Sequence, residues 1–171
     1  ANILIINHDL PSGTMTSPQL FFSAIRSNGF SVDTVNFGNF GVTPLPDYHL
    51  VVLSAGANPL PFTNSTRRQV VVDYVTQGGN LLVEGGQVGF LYRKSGPFDA
   101  ETHFRRQVLH DSTWVSDATT SDLTFTQPSH PIFTSPNNLT SPIMMTTRTT
   151  TADRDAMTIE LGVPGIATLG S

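Results

Sequence analysis

Tyr48-His49-Leu50-Val51-Val52-Leu53-Ser54, followed at once by Ala55-Gly56-Ala57-Asn58-Pro59, decides the fold. So short a continuous apolar run suits a β-strand buried on both faces, which is the position of a strand inside a parallel sheet. The small residues behind it let another group approach the backbone closely. Downstream, Asn64 or Ser65 can cap a helix carrying Val70, Val71, Tyr74 and Val75 on one face, and Gln77-Gly78-Gly79 closes it with a left-handed cap. Asn80 to Glu84 (NLLVE) then reads as another strand. Upstream, Asn2 to Asn7 (NILIIN) is a second buried run with the polar pair His8-Asp9 at its carboxyl end. Ser17-Pro18 opens a helix in which Leu20, Phe21, Ala24 and Ile25 recur at helical spacing until Asn28-Gly29 stops it. Ser31 to Phe37 alternates enough for a strand, and Gly38 to Asp47, rich in Gly and Pro, is expected to be a loop.

Strands separated by helices imply right-handed βαβ crossovers and a mainly parallel sheet. The expectation is therefore an α/β, doubly wound, flavodoxin-like domain, with helices on both faces of the sheet in three layers. Beyond Gly89 the pattern weakens. Ala100 to Leu109 suits a helix, Ser112 to Val115 and Leu123 to Thr126 suit strands, and Gln127 to Pro142 is a Pro-rich loop. Pro142 to Thr150, Ala156 to Leu161 and Gly165 to Leu169 form a β-rich end, as short antiparallel strands or a Thr-rich linker. One domain is expected over residues 1–171, with a core at 1–135 and a Thr/Pro-rich hairpin or linker-like extension at 136–171.

At 171 residues the chain can bury roughly two thirds of the surface its unfolded form exposes. No apolar run approaches the roughly 18 residues that a spanning helix needs, which argues against membrane insertion. Net charge is -4, and the nine cations are eight Arg and the single Lys94, so no basic stripe exists to neutralise phosphates and nucleic acid is excluded as a partner. Cysteine is absent, which removes disulfides, thiolate metal sites and Cys nucleophiles together. Thr-rich stretches such as Thr146 to Thr151, with Lys and Glu scarce, favour a secreted or cell-surface module. Asn64-Ser65-Thr66 and Asn138-Leu139-Thr140 are formal glycosylation sequons. With Ala1 at the edge of the first strand and no initiator Met, the expectation is a processed product or an excised domain.

The segment Tyr48 to Ser54, then Tyr74-Val75-Thr76-Gln77-Gly78-Gly79-Asn80-Leu81-Leu82-Val83-Glu84-Gly85-Gly86, resembles the class I glutamine amidotransferase-like superfamily. It is most similar to non-catalytic branches: trehalose-utilisation (ThuA-like) proteins, the trimerisation domain of some β-galactosidases, and modules of secreted bacterial proteins. The resemblance covers roughly residues 1–135. In catalytic members a Cys sits in a tight Gly-x-Cys-x-Gly elbow after a strand, where a helix N-terminus lowers its pKa. Here that turn is Gly85-Gly86-Gln87-Val88-Gly89, and Gln87 stands where the nucleophile would be. The partner His-x-Glu is matched by His130-Pro131-Ile132, which keeps the His and lacks the acid. The resemblance thus implies a scaffold without amidotransferase chemistry.

Ligands of open parallel sheets bind outside the carboxyl ends of the strands. The residues due there are His8, Asp9, Ser54, Asn58, Glu84 and Gln87, a polar set able to hold a carbohydrate or another small polar ligand. The competing reading is that they satisfy backbone groups at strand ends and cap helices. A Ser/His/Asp hydrolase could be assembled from Ser54, His8 or His130, and Asp9, since triads are recognised by geometry. Against it, Leu53-Ser54-Ala55-Gly56-Ala57 lacks the first Gly of a nucleophile elbow.

No metal site is expected, because His8, His49, His103, His110 and His130 form no His-x-x-x-His pair; only oxygens from His8-Asp9 and Glu84 could favour a hard cation. His103 and His110 are expected on one helix face. No cofactor is expected: Gly85 to Gly89 lacks the Lys-Ser/Thr of a phosphate loop, and the hydroxyls of Ser12 to Ser17, which a flavin would want, are ordinary loop composition. Phe90-Leu91-Tyr92-Arg93 and the loop residues Phe37, Phe40 and Phe62 form an association surface if exposed, and cover the core if not. Three functions follow as expectations. The first is a non-catalytic structural, oligomerising or ligand-binding module of a larger secreted protein, partnered by its other domains or by identical copies. The others are a hydrolase with a relocated site and a subunit of an extracellular assembly.

Overall fold

The computed structural model describes residues 1–10, 15–42, 44–93, 103–117, 123–135, 138–143, 155–159 and 167–169. Its centre is a four-stranded sheet of β1 (Asn2–Asn7), β2 (Ser31–Asn36), β3 (Leu50–Ser54) and β4 (Leu81–Glu84), in the order β2-β1-β3-β4. All of its pairings are parallel, with Asn7 opposite both Asn36 and Ser54, and Ser54 opposite Glu84. The α/β expectation holds at this level. Parallel neighbours require crossovers, and α1 (Ser17–Ser27) and α2 (Ser65–Thr76) supply those after β1 and β3.

The alternation of side chains along β1 explains how both of its faces are used. Ile3 and Ile5 join Val32 and Val52 in one buried cluster against Phe21 and Ile25 of α1. Leu4 and Ile6 join Val51 and Leu53 in a larger cluster with Val71, Val72 and Tyr74 of α2. The second cluster extends to Val88, Leu91 and Tyr92 of a short helix α3 (Val88–Tyr92), and to Phe37, Phe40 and Phe62. Each fully buried aliphatic side chain there contributes roughly 1.5–3 kcal/mol relative to exposure.

Local chemistry sets the helix ends. The Thr16 amide donates to Gln19 Oε1 at 2.8 Å, half of a capping box, and Gly29 leaves α1 at φ 81°. The Asn64 side chain accepts the Arg67 amide at 3.0 Å at the start of α2. At its other end the Tyr74 ring lies where a Cβ on Gly79 would come within 2.4 Å, so only glycine admits the ring. The Tyr74 hydroxyl bonds the carbonyls of Tyr48 and Asn80, and burial pushes its pKa up.

Of the two readings of the loop aromatics the second holds: Phe37, Phe40, Phe62 and Tyr92 are core residues, between 0% and 3% exposed, and form no association surface. Several other expectations need correcting. The buried face of α2 includes Arg68 beside Val71, Val72 and Tyr74, with Val70 and Val75 only partly covered. Tyr48 and His49 precede β3 instead of belonging to it, and the Gly38 to Asp47 segment contains 3-10 turns at Phe40–Val42 and Leu45–Asp47. His103 and His110 flank a π-helical turn, Phe104–Leu109, as its caps, with His110 left-handed at φ 51°. The Pro-rich stretch after Gln127 includes a helical turn, α4 (Pro131–Thr134), because His130 and Pro131 make a capped start.

β5 (Asp111–Asp117) pairs antiparallel with β7 (Asp155–Ile159), and β6 (Leu123–Phe125) pairs antiparallel with β8 (Ala167–Leu169). The β-rich end therefore pairs back onto strands before residue 135. Thr146 to Thr151, Ser12 to Thr14 and Ala100 to Thr102 lie outside the described residues.

Candidate functional site

The chain steps from β1 to β2 on one side and then returns to place β3 on the other, so the carboxyl ends of β1 and β3 flank the reversal in strand order. His8, Asp9, Ser54, Asn58 and Glu84 all meet there. What they meet is mostly backbone.

Asp9 is the clasp. Its Oδ1 accepts the amides of Leu10 at 2.8 Å and Ala57 at 3.2 Å, and its Oδ2 accepts the amide of Ser17, the first residue of α1, at 3.2 Å. The carboxylate thus occupies the helix N-terminus, where negative charge is favoured, and ties the loop after β1 to the turn after β3. Gly56 is the other half of that fit: at φ 51° it adopts a conformation few other residues tolerate, and a Cβ on it would lie 2.2 Å from Asp9 Oδ2.

His8 is half-buried between Phe37 and Phe62, with ring centroids 4.5 and 5.6 Å away. Its Nδ1 accepts the Phe62 amide at 2.8 Å, which leaves Nε2 to carry the proton of the neutral ring. Burial lowers its pKa below the ordinary value of 6.5. Phe62 itself is left-handed at φ 58°, a strained conformation for a residue with a Cβ. Its carbonyl lies 2.6 Å from Arg68 Nη1 and 2.8 Å from the Tyr92 hydroxyl, so both its amide and its carbonyl are held by buried or half-buried side chains. Arg68 also lies 5.2 Å from the centre of the Tyr92 ring, a cation–π contact.

Asn58 donates to the His8 carbonyl at 2.5 Å and accepts the Leu60 amide at 2.9 Å. The Ser54 hydroxyl, fully buried, donates to Glu84 Oε2 at 2.7 Å, and the same oxygen accepts the Gly56 amide at 3.2 Å. Gln87 caps α3 without a side-chain hydrogen bond, at the bend after β4. His130 accepts the Ile132 amide at 3.3 Å and meets Phe133 edge-on; none of its contacts reaches Ser54, Asp9 or Glu84.

The structure therefore brings together five of the six residues expected at the strand ends, Ser54, His8 and Asp9 among them, but the side chains of these three bond other partners and not one another, and His130 stands apart. Ser54 faces a carboxylate, not an imidazole, and has no exposed surface for a substrate. Among the described residues no group of three His, Asp or Glu side chains is placed to hold a metal, and no helix is long and apolar enough to cross a membrane.

A cleft that the sequence reading did not find opens beside this knot, between the start of α1 and the sheet. It measures about 280 Å³ and is lined by Asn7, Pro18, Gln19, Phe22 and Thr34. Asn7 and Thr34 lie on the α1 side of their strands, in line with Ile3 and Ile5 and with Val32. The available signal was the switch from apolar to polar along that face, from Ile3 and Ile5 to Asn7 and from Val32 to Thr34.

Comparison with family models, curated proteins and solved structures found no match for this chain.

Proposed function

We propose that this chain is a non-catalytic module, built as a doubly wound, three-layer, flavodoxin-like domain, that serves binding or assembly within a larger secreted or cell-surface protein. The order β2-β1-β3-β4 matches the first four places of the flavodoxin-like order 2-1-3-4-5 and supports that fold reading. The low Lys and Glu content and the Thr-rich stretches support the compartment. Gln87 at the bend after β4, where amidotransferase-like enzymes carry a nucleophile, supports the lack of chemistry, and glycan-related machinery is the setting that the resemblance favours.

One observation carries the reading. The buried Ser54 hydroxyl is donated to Glu84, and that carboxylate oxygen also takes a backbone amide, so the best nucleophile at the strand ends serves the fold. The test is a turnover screen with nitrophenyl esters and nitrophenyl glycosides on the wild type and on Ser54→Ala. The expected result is no turnover above buffer with either protein. Turnover that disappears with Ser54→Ala would replace this reading with the hydrolase. Light scattering on the same preparation separates the two forms of the proposal: a discrete oligomer supports assembly, a monomer supports binding.

A further inference from the structure

We infer that the cleft between α1 and the β1–β2 edge is a binding site for an uncharged sugar ring; this rests on the reading of the chain as a binding module. A helix laid over a parallel sheet ordinarily buries apolar side chains along its whole length. Here Phe21 and Ile25 pack, partly buried, on Ile3, Ile5 and Val32 over the first part of the strands, and at the other end of the contact α1 buries Pro18. One step further along the same face the sheet presents Thr34 and Asn7, and α1 holds Phe22 above them across a cleft of about 280 Å³. That volume is close to the lower end of the roughly 300–1,000 Å³ typical of small-molecule sites. The cleft sets the polar side chains of Asn7, Gln19 and Thr34 beside Pro18 and Phe22, the mixed lining common to small-molecule sites.

The chemistry of the lining selects the ligand. Asn7 Oδ1 accepts the Asp9 amide at 2.9 Å, and Gln19 Oε1 accepts the Thr16 amide at 2.8 Å. Each carboxamide oxygen accepts one amide of the chain itself, which fixes the orientation of the side-chain amide and leaves its NH2 group to donate to a ligand. Thr34 adds a hydroxyl that can donate or accept. Phe22, 37% exposed, adds an apolar ring face, and Arg26 lies 5.7 Å from its centroid, a cation–π contact that restricts its rotation. Among the described residues none of the lining carries a charge. Two amide donors, one hydroxyl and one aromatic platform suit a ligand with several acceptor oxygens and one face of C–H groups, which describes a neutral pyranose. They do not suit a phosphate or a carboxylate, which would want a cation, nor a flat apolar ligand, which would strand the amides.

The experiment is an NMR titration of the whole isotope-labelled chain with methyl β-glucopyranoside, methyl β-galactopyranoside and N-acetylglucosamine at millimolar concentrations. At least one probe is expected to shift the side-chain NH2 signals of Asn7 and Gln19 saturably, with the rest of the spectrum little changed. Phe22→Ala is expected to weaken that binding about tenfold, and Thr34→Val, which keeps the shape of the side chain, to weaken it measurably. Both sites are exposed, and unchanged core signals will show that the fold is kept. Absence of any shift, or shifts that neither substitution alters, overturns the proposal. Release of free hexose from a methyl glycoside in the same tube would overturn the non-catalytic reading instead, and the site would then be judged on the two variants alone.

Discussion

The His8 imidazole accepts the backbone amide of Phe62 at 2.8 Å while Phe62 stands in the left-handed region at φ 58°. A bulky residue in that conformation costs roughly 1–2 kcal/mol, and the neutral ring of His8 is part of what offsets it. Protonated His8 has no acceptor at Nδ1. The folded pKa lies below the unfolded one, so the unfolded chain binds the extra proton more readily. His8 therefore contributes stability that is present above about pH 6.5 and is lost as pH falls through the lowered folded value. His8→Asn can place its amide oxygen near the position of Nδ1 and does not titrate. Urea melts between about pH 7.5 and pH 5 should show a steeper loss for the wild type than for His8→Asn; parallel curves would count against this role.

Asp9→Asn should destabilise by about 2–3 kcal/mol, the loss of charge-assisted acceptors and the pointing of an NH2 group at backbone donors. Denaturant midpoints at neutral pH check this. A loss below roughly 0.5 kcal/mol would place Asp9 among ordinary surface residues.

Gly56→Ala combines a left-handed backbone with a methyl group driven into the Asp9 carboxylate, and should cost about 3 kcal/mol or more. Part of that cost is the collision alone. In an Asp9→Ala background, where the carboxylate is gone, Gly56→Ala should cost visibly less. A double-mutant cycle measures the difference, and strict additivity would contradict the packing of Asp9 on Gly56.

Tyr92→Phe removes a fully buried hydroxyl that lies 3.0 Å from the Pro61 carbonyl and 2.8 Å from the Phe62 carbonyl. Its expected cost is about 1–2 kcal/mol, and calorimetry should find the lower melting temperature without a change in cooperativity. A neutral result would mean that Arg68 alone satisfies the Phe62 carbonyl.

The sheet was legible because Asn2 to Asn7 and Leu50 to Ser54 have no polar residue in their interiors, and because Gly29 and Gly78 end helices by a mechanism local to a few residues. Arg68 was not legible. A cation on the buried face of a helix makes sense only beside the Phe62 carbonyl and the Tyr92 ring, partners that sequence spacing does not reveal. Phe37, Phe40 and Phe62 lie in loops and turns yet complete the core, one of the two placements that the sequence left open. At the strand ends the sequence identified which polar residues would gather and left two readings of what they would face, a ligand or the backbone. Asp9 turned to three backbone amides and Ser54 to Glu84, since at the ends of a parallel sheet the unpaired backbone groups compete with any ligand for polar side chains. The cleft went unread because its polar residues belong to three elements that only the crossover brings together.

Residues kept for chemistry often lose nothing, or gain, in stability when they are replaced, whereas residues kept for the fold lose. The equilibrium unfolding of Ser54→Ala, Glu84→Ala and the double variant applies that criterion where it decides most. Losses of about 1–2 kcal/mol for Ser54→Ala and about 2–4 kcal/mol for Glu84→Ala, with the double variant costing less than their sum, are the predicted result. An increase in stability from either single substitution would contradict it and restore Ser54 as a catalytic candidate.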